Sequence, residues 1–416
     1  MEAVQLLEGA QWEAARDAFE DALREEEAPD ALDGLGLALW FLGQVEEGIA
    51  ARERAFDGFL REDRCDHAAR TAAWVSHQYL LVDRPSAARG WLARAERALE
   101  DRQCEGRGWV AVERARQGQS IDECAAHARR ALQIARENGA SDLEVFALSL
   151  LGQAEVRAGR VAEGMGLLEE AMAAASAGRV RNVHTLAEAY CNLIAACTGA
   201  GEWERAAEWC ELVDEFAREH GTMPLFGACR TMHADVLLAR GRWPEAERAL
   251  ESALETHASY VPAMGVAALS TMAELRIRQG RPAEAEQLLA GREEHPSSLR
   301  ALAHLRIADG RPEVAAALLE RGLATVEGDS IGTMQLLAPL VDALLACGDA
   351  DAAAETATRL AEVARQSGIR LVEARSELAG ARVHLAMGQT PEAVGPAQRA
   401  LAHFGRLSMP VDAGEA

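Results

Sequence analysis

The chain has 416 residues and a formal net charge of −23, and all 43 of its basic residues are arginine. That acidic excess argues against gripping a phosphate backbone, so nucleic acid is not an expected partner. No apolar run reaches the ~18 residues needed to span a bilayer. The acidic N-terminus enters a helix pattern at once, so no secretory leader is expected and the expected place is the cytoplasm, with no membrane partner.

Ala, Leu, Glu and Arg, all good helix formers, dominate, and no period-two alternation is sustained. The expected fold is therefore all-α. In chain order, a turn residue returns at Gly9, Gly43, Asp83, Gly118, Gly159, Gly201, Gly241, Gly280, Gly310, Gly348 and Gly388, at spacings of 30 to 42 residues. Five positions after most of them stands a small residue: Ala14, Gly48, Ala88, Gly164, Ala206, Ala246, Ala285, Ala315, Ala353 and Ala393. Only Glu123 breaks the rule, which reads as a one-residue insertion. Each period is long enough for two helices and short turns, and such a unit cannot bury its own apolar face. Stacking is then obligatory.

The first hairpin opens at Val4, its second helix ends near Glu27, and Ala28-Pro29-Asp30 begins the next. The repeat signal weakens between Glu100 and Gly118, again from Gly291 to Ser298, and at Gly328-Asp329-Ser330. These are the candidate hinges. One unit is fully legible. Ala228 to Ala239 is a helix, Gly241 ends it, and Pro244 sits in the first turn of the next helix, where a missing amide proton costs nothing. Residues 1–404 read as one continuous array and 405–416 as a tail or truncated helix.

Seven positions before each turn residue a second small residue appears: Gly36, Ser76, Ala111, Gly152, Ala234, Ala273, Ala303 and Ala381, with Ile194 and Val341 departing. Trp203 and Trp243 follow their turn glycines by two, and Leu35-Gly36 and Leu151-Gly152 form Leu-Gly pairs. This pattern resembles the tetratricopeptide repeats over about Gly9 to Phe404. The resemblance implies an α-solenoid, a right-handed superhelix of about eleven TPR-like hairpins whose first helices line a concave surface. A narrower likeness lies in Ala50-Ala51-Arg52-Glu53-Arg54-Ala55-Phe56, in Tyr190 to Cys197, in Arg205 to Cys210 and in Gly241 to Glu247. These are similar to the helical-repeat region of large actinobacterial LuxR-type transcriptional regulators. No Arg/Thr-rich recognition helix of the kind their C-terminal helix-turn-helix needs follows Gly388.

Catalytic signals are poor: no phosphate-cradling Gly loop, no H-E-x-x-H, no G-x-S-x-G. Eight cysteines form no C-x-x-C pair and read as reduced thiols within helices. Cys65 and His67 on one helix diverge by about 200° and cannot chelate together, so no metal or cofactor is expected. Cys229 and His233 share a helix face but lack an orienting acid. The residue after each first-helix small position is polar in most units: His77, Gln153, Asp235, Glu274, His304, Asp342 and Arg382. The repeat resemblance turns this row inward. Its mix of acid, base and imidazole suits a peptide, a protein segment or a small effector. Trp74, Tyr79, Trp109 and Tyr190 are the nearby aromatic candidates, against the reading that such rings pack between repeats.

The leading expectation is a regulatory binding module, the sensor part of a transcriptional regulatory system, rather than an enzyme. The alternative is a scaffold for complex assembly or self-association, possible as a homo-oligomer. More remote is an enzyme with a pocket inside the solenoid.

Overall fold

The computed structural model describes residues 2–100, 102–178, 180–220 and 224–416, with the backbone alone described at 216–220 and 224–226. Helix accounts for 83% of the chain and the described residues contain no strand, which settles the all-α class.

Turn chemistry sets the hairpins. Gly43, Gly159, Gly201 and Gly241 all adopt positive φ, and each is followed two residues later by the start of a new helix. Pro85, Pro282 and Pro312 open their helices from the first turn. Among the described residues, eleven antiparallel pairs result. They are α1 (Glu2–Glu8) with α2 (Trp12–Glu25), α3 (Pro29–Phe41) with α4 (Val45–Arg61), α5 (Cys65–Leu81) with α6 (Pro85–Leu99), and α7 (Gly106–Gln117) with α8 (Ile121–Asn138). Next come α9 (Ser141–Arg157) with α10 (Val161–Ser176), α11 (Val183–Ala200) with α12 (Trp203–His220), and α13 (Pro224–Ala239) with α14 (Trp243–Ser259). Then follow α15 (Val266–Arg278) with α16 (Pro282–Leu289), α17 (Leu299–Ala308) with α18 (Pro312–Leu323), α19 (Ser330–Ala346) with α20 (Ala350–Ser367), and α21 (Arg370–Ala386) with α22 (Thr390–Arg406). A short α23 (Pro410–Glu415) follows. The fold is an α-solenoid of TPR-like hairpins.

The paired small residues are where two backbones meet. A β-carbon at Gly152 would lie 2.7 Å from the Gly164 carbonyl oxygen, and one at Gly36 would lie 2.8 Å from that of Gly48. Ala206, Ala246, Ala285, Ala315 and Ala353 are fully buried at the equivalent place. Two units shift the pattern. In the first, Ala10 rather than Gly9 takes the left-handed backbone, and the buried small residue is Ala15, with Ala14 exposed. In the fourth, Gly118 has a φ of −59°, and the helix start is fixed by side chains. The Ser120 hydroxyl accepts the Glu123 amide at 3.2 Å while the Glu123 carboxylate accepts the Gln119 amide at 2.9 Å. Glu123 breaks the repeat rule because it closes a local cap that replaces the glycine turn.

The stack also coils back on itself, and units five apart touch. The Gly43 turn lies against Tyr260, Arg370 pairs with Glu202 at 3.2 Å, and Arg157 grips Asp329 through two hydrogen bonds of 2.5 and 3.0 Å. Asp329 also caps α19 through the Gly332 amide at 2.9 Å. The candidate hinge at Gly328 to Ser330 is therefore a pinned point. At Gly291 to Ser298 the chain does depart from the α-helix, with a 3₁₀ turn at Pro296–Ser298 leading into the short α17.

Candidate functional site

Residues of the predicted row fall in two polar assemblies. In the first half, α5 presents Trp74 and His77 one turn apart, and α11 presents His184 and Glu188 at i, i+4, so each helix offers one face. Side chains of the two helices meet. His77 Nε2 lies 3.1 Å from Glu188 Oε1, Arg116 of α7 lies 2.7 Å from Glu188 Oε2, and His184 Nε2 lies 3.8 Å from Oε1. Around them is an aromatic shell. Trp74 is 4.4 Å from the His184 ring and stacks on Phe146 at 5.8 Å, while Phe41 and Trp40 flank His184 at 5.7 and 6.3 Å. Arg116 lies over Phe146 at 4.4 Å.

Charge inside this shell is held by its partners. Burial pushes the Glu188 carboxyl up, but Arg116 and the two imidazoles outweigh it and leave the group well below the usual carboxylate range. The same burial drives His184 well below an ordinary histidine, so its ring is neutral. Glu113 of α7 is raised by burial and is held by Gln117 at 2.9 Å and Ser76 at 3.1 Å. Removing one member of such a group strands the others, at a cost of about 3–5 kcal/mol.

In the second half the row runs along the first helices. Asp235 accepts from Thr271 at 3.1 Å and is pushed up to about 6 by burial. Glu274 takes both arms of Arg300, at 2.6 and 3.0 Å. Burial raises that carboxyl, but Arg300 and His304 leave it lowered. His304 is lowered by burial. Asp342 accepts from Arg382 at 2.7 and 2.8 Å. On this wall lies α23: Arg382 reaches Glu415 at 3.0 Å and Arg375 reaches the buried Asp412 at 2.5 Å. α23 also touches α13, and Pro410 and Val411 lie beside Gly241. At its start opens a cavity of about 500 Å³ lined by Glu204, Arg240, Arg242, Phe404 and Met409.

The row is thus split. His77 belongs to the closed first assembly, whereas Asp235, Glu274, His304, Asp342 and Arg382 share the second. Gln153, half-buried on α9, joins neither. Trp74 and Trp109 are core rings, 5.6 Å apart, with the Trp109 indole donating to Glu105 at 3.0 Å. Tyr79 donates to Glu53 at 2.8 Å and is pushed up to about 12, first by burial; it lines a cavity of about 130 Å³ with Val45 and Arg84. Tyr190 lies 6.0 Å from Trp209. Sequence reasoning missed His184, Glu188, Arg116, Arg300, Asp412 and Glu415. The i, i+4 spacing of His184 and Glu188 was a visible signal of a shared face, but nothing local says which helix that face meets.

No protein-family model matches the chain, and no curated protein does. Solved structures do. A Rap protein complexed with competence and sporulation factor superposes with a TM-score of 0.56 at 16% identity, covering 88% of this chain and 99% of that one. The yeast Tom70 structure aligns with a TM-score of 0.36 at 10% identity, covering 100% of this chain and 94% of that one. The first likeness carries the fold, a helical-repeat solenoid. Among the described residues no helix is long and apolar enough to cross a membrane.

Proposed function

We propose that this chain is a protein-interaction module that takes an acidic peptide or protein segment on the inner wall of its second half, as the sensor part of a transcriptional regulatory system. The observation that carries the reading is the seat of α23. Arg375 and Arg382 on α21 hold Asp412 and Glu415 of a short acidic helix. A wall that grips one acidic segment through paired guanidinium groups is chemically suited to grip another. The neighbouring Glu274–Arg300 pair, Asp235 and His304 extend the same surface with groups able to read the rest of a bound segment. The Rap protein of similar fold is complexed with competence and sporulation factor, which supports a peptide-like partner for this wall. The LuxR-like segments support the regulatory setting.

A panel of acidic synthetic peptides, measured by thermal shift and fluorescence anisotropy on the full chain, tests the reading. A bound member should raise the melting temperature, and Arg382→Ala should weaken it at least tenfold. No stabilisation by any member, or binding indifferent to Arg382 and Arg375, rejects it.

A specific observation favours a second reading, self-association. Leu385, Val394 and Leu401 in the last hairpin are 55%, 50% and 50% exposed, and Val394 and Leu401 share one face of α22 at i, i+7.

A further inference from the structure

We propose that His77, His184 and Glu188 form a binding site for one divalent transition-metal ion of the zinc class. Three ligands suited to such an ion converge here, two imidazoles and a carboxylate. One donor atom from each lies within 4.8 Å of the other two. Two of the three ligand separations, 3.1 Å from His77 and 3.8 Å from His184 to Glu188 Oε1, bracket the roughly 3.3 Å edge of a tetrahedron with metal bonds of about 2.0–2.1 Å.

Two further observations point to a ligand. His184 is fully buried, yet neither of its ring nitrogens has a hydrogen-bond partner among the described residues, and His77 Nδ1 has none either. Buried polar atoms left in that state are costly, and a coordinate bond to His184 Nε2 removes the fault. The carboxylate is also oriented. Arg116 occupies Glu188 Oε2 at 2.7 Å and leaves Oε1 turned to the imidazoles, which is the arrangement of an outer partner fixing a ligating carboxylate. Glu113 lies near enough to act on His77 and Arg116, and with Glu188 it offsets the positive charge that Arg116 and Arg52 bring to the site.

The ligands come from α5 and α11, 111 residues apart between His77 and Glu188. A bound ion would therefore fasten the third hairpin to the sixth. His77 and Glu188, which retain 6% and 9% exposure, mark the side from which an ion enters.

The test uses the full chain, stripped with a chelator and titrated with Co(II) as a spectroscopic stand-in. One equivalent should develop visible d–d absorption without the near-ultraviolet thiolate band that cysteine ligation gives. Zn(II) should displace it and raise the melting temperature. His77→Gln and Glu188→Gln should each weaken Co(II) binding at least 30-fold while leaving the far-ultraviolet dichroism unchanged. Should His184→Gln fail to fold, those two variants still decide. No absorption and no thermal shift with Co(II) or Zn(II) overturns the proposal. So does a thiolate band, or binding that survives both substitutions.

Discussion

Asp235 shows what partial burial between repeats does to a single ionisable side chain. Burial raises its carboxyl from an ordinary 3.8 to about 6, against the pull of Arg300 and the Thr271 hydroxyl. The folded state therefore binds more protons than the unfolded one between those values. Stability falls as pH rises through that window, and the full penalty is present above it. Discounted for the solvent that reaches this half-buried group, the penalty is about 1–2 kcal/mol. Asp235→Asn should remove it, so urea melts at pH 7.5 should favour the variant by about that much more than melts at pH 4.5. An equal gap at both pH values would mean that the carboxyl is solvated. That a polar residue follows the buried small position here was legible from its place after Ala234. Its partners were not: Thr271 and Arg300 sit on the two following first helices, and only the stacking angle brings them to it.

At the scale of the element, the hairpin was readable because each of its parts has a local cause. Gly241 and Pro244 bracket a turn, and Ala246 marks the close face of the next helix. Where the cause was side-chain capping, as at Ser120 and Glu123, a glycine-based rule lost the thread. The turns also differ in a way that composition hides. Gly159 and Gly280 have positive φ, of 94° and 73°, but a β-carbon at Gly159 would come within 2.6 Å of Ser367 Cα, whereas Gly280 has nothing within 4 Å. Gly280→Ala should cost only the left-handed backbone term, about 1–2 kcal/mol. Gly159→Ala should cost roughly 1–3 kcal/mol more, by overpacking against a unit five places on. Equal denaturation midpoints for the two variants would contradict the packing of one coil on the next.

Across the whole molecule, the exposed face formed by Val394 and Leu401 is where the self-association reading is decided. Sedimentation velocity over a hundredfold range of concentration should show a dimer, and Val394→Glu with Leu401→Glu should return it to monomer. A monomer at every concentration removes that reading. The solenoid itself was legible from the sequence, because a periodic apolar face admits no other burial. The coiling that joins Arg157 to Asp329, and α11 to α5, was not. Those contacts depend on the small rotation between neighbours summed over several units, and no single repeat encodes that sum.

That summed rotation has a mechanical consequence. A rod whose repeats lean only on their neighbours yields to tension gradually, like a soft spring. Here the Arg157–Asp329 clasp, the Arg370–Glu202 pair and the Gly43–Tyr260 contact bridge successive gyres. Pulling the ends apart must break these clasps before the coil can lengthen, so the extension trace should carry a sharp force peak ahead of the compliant regime.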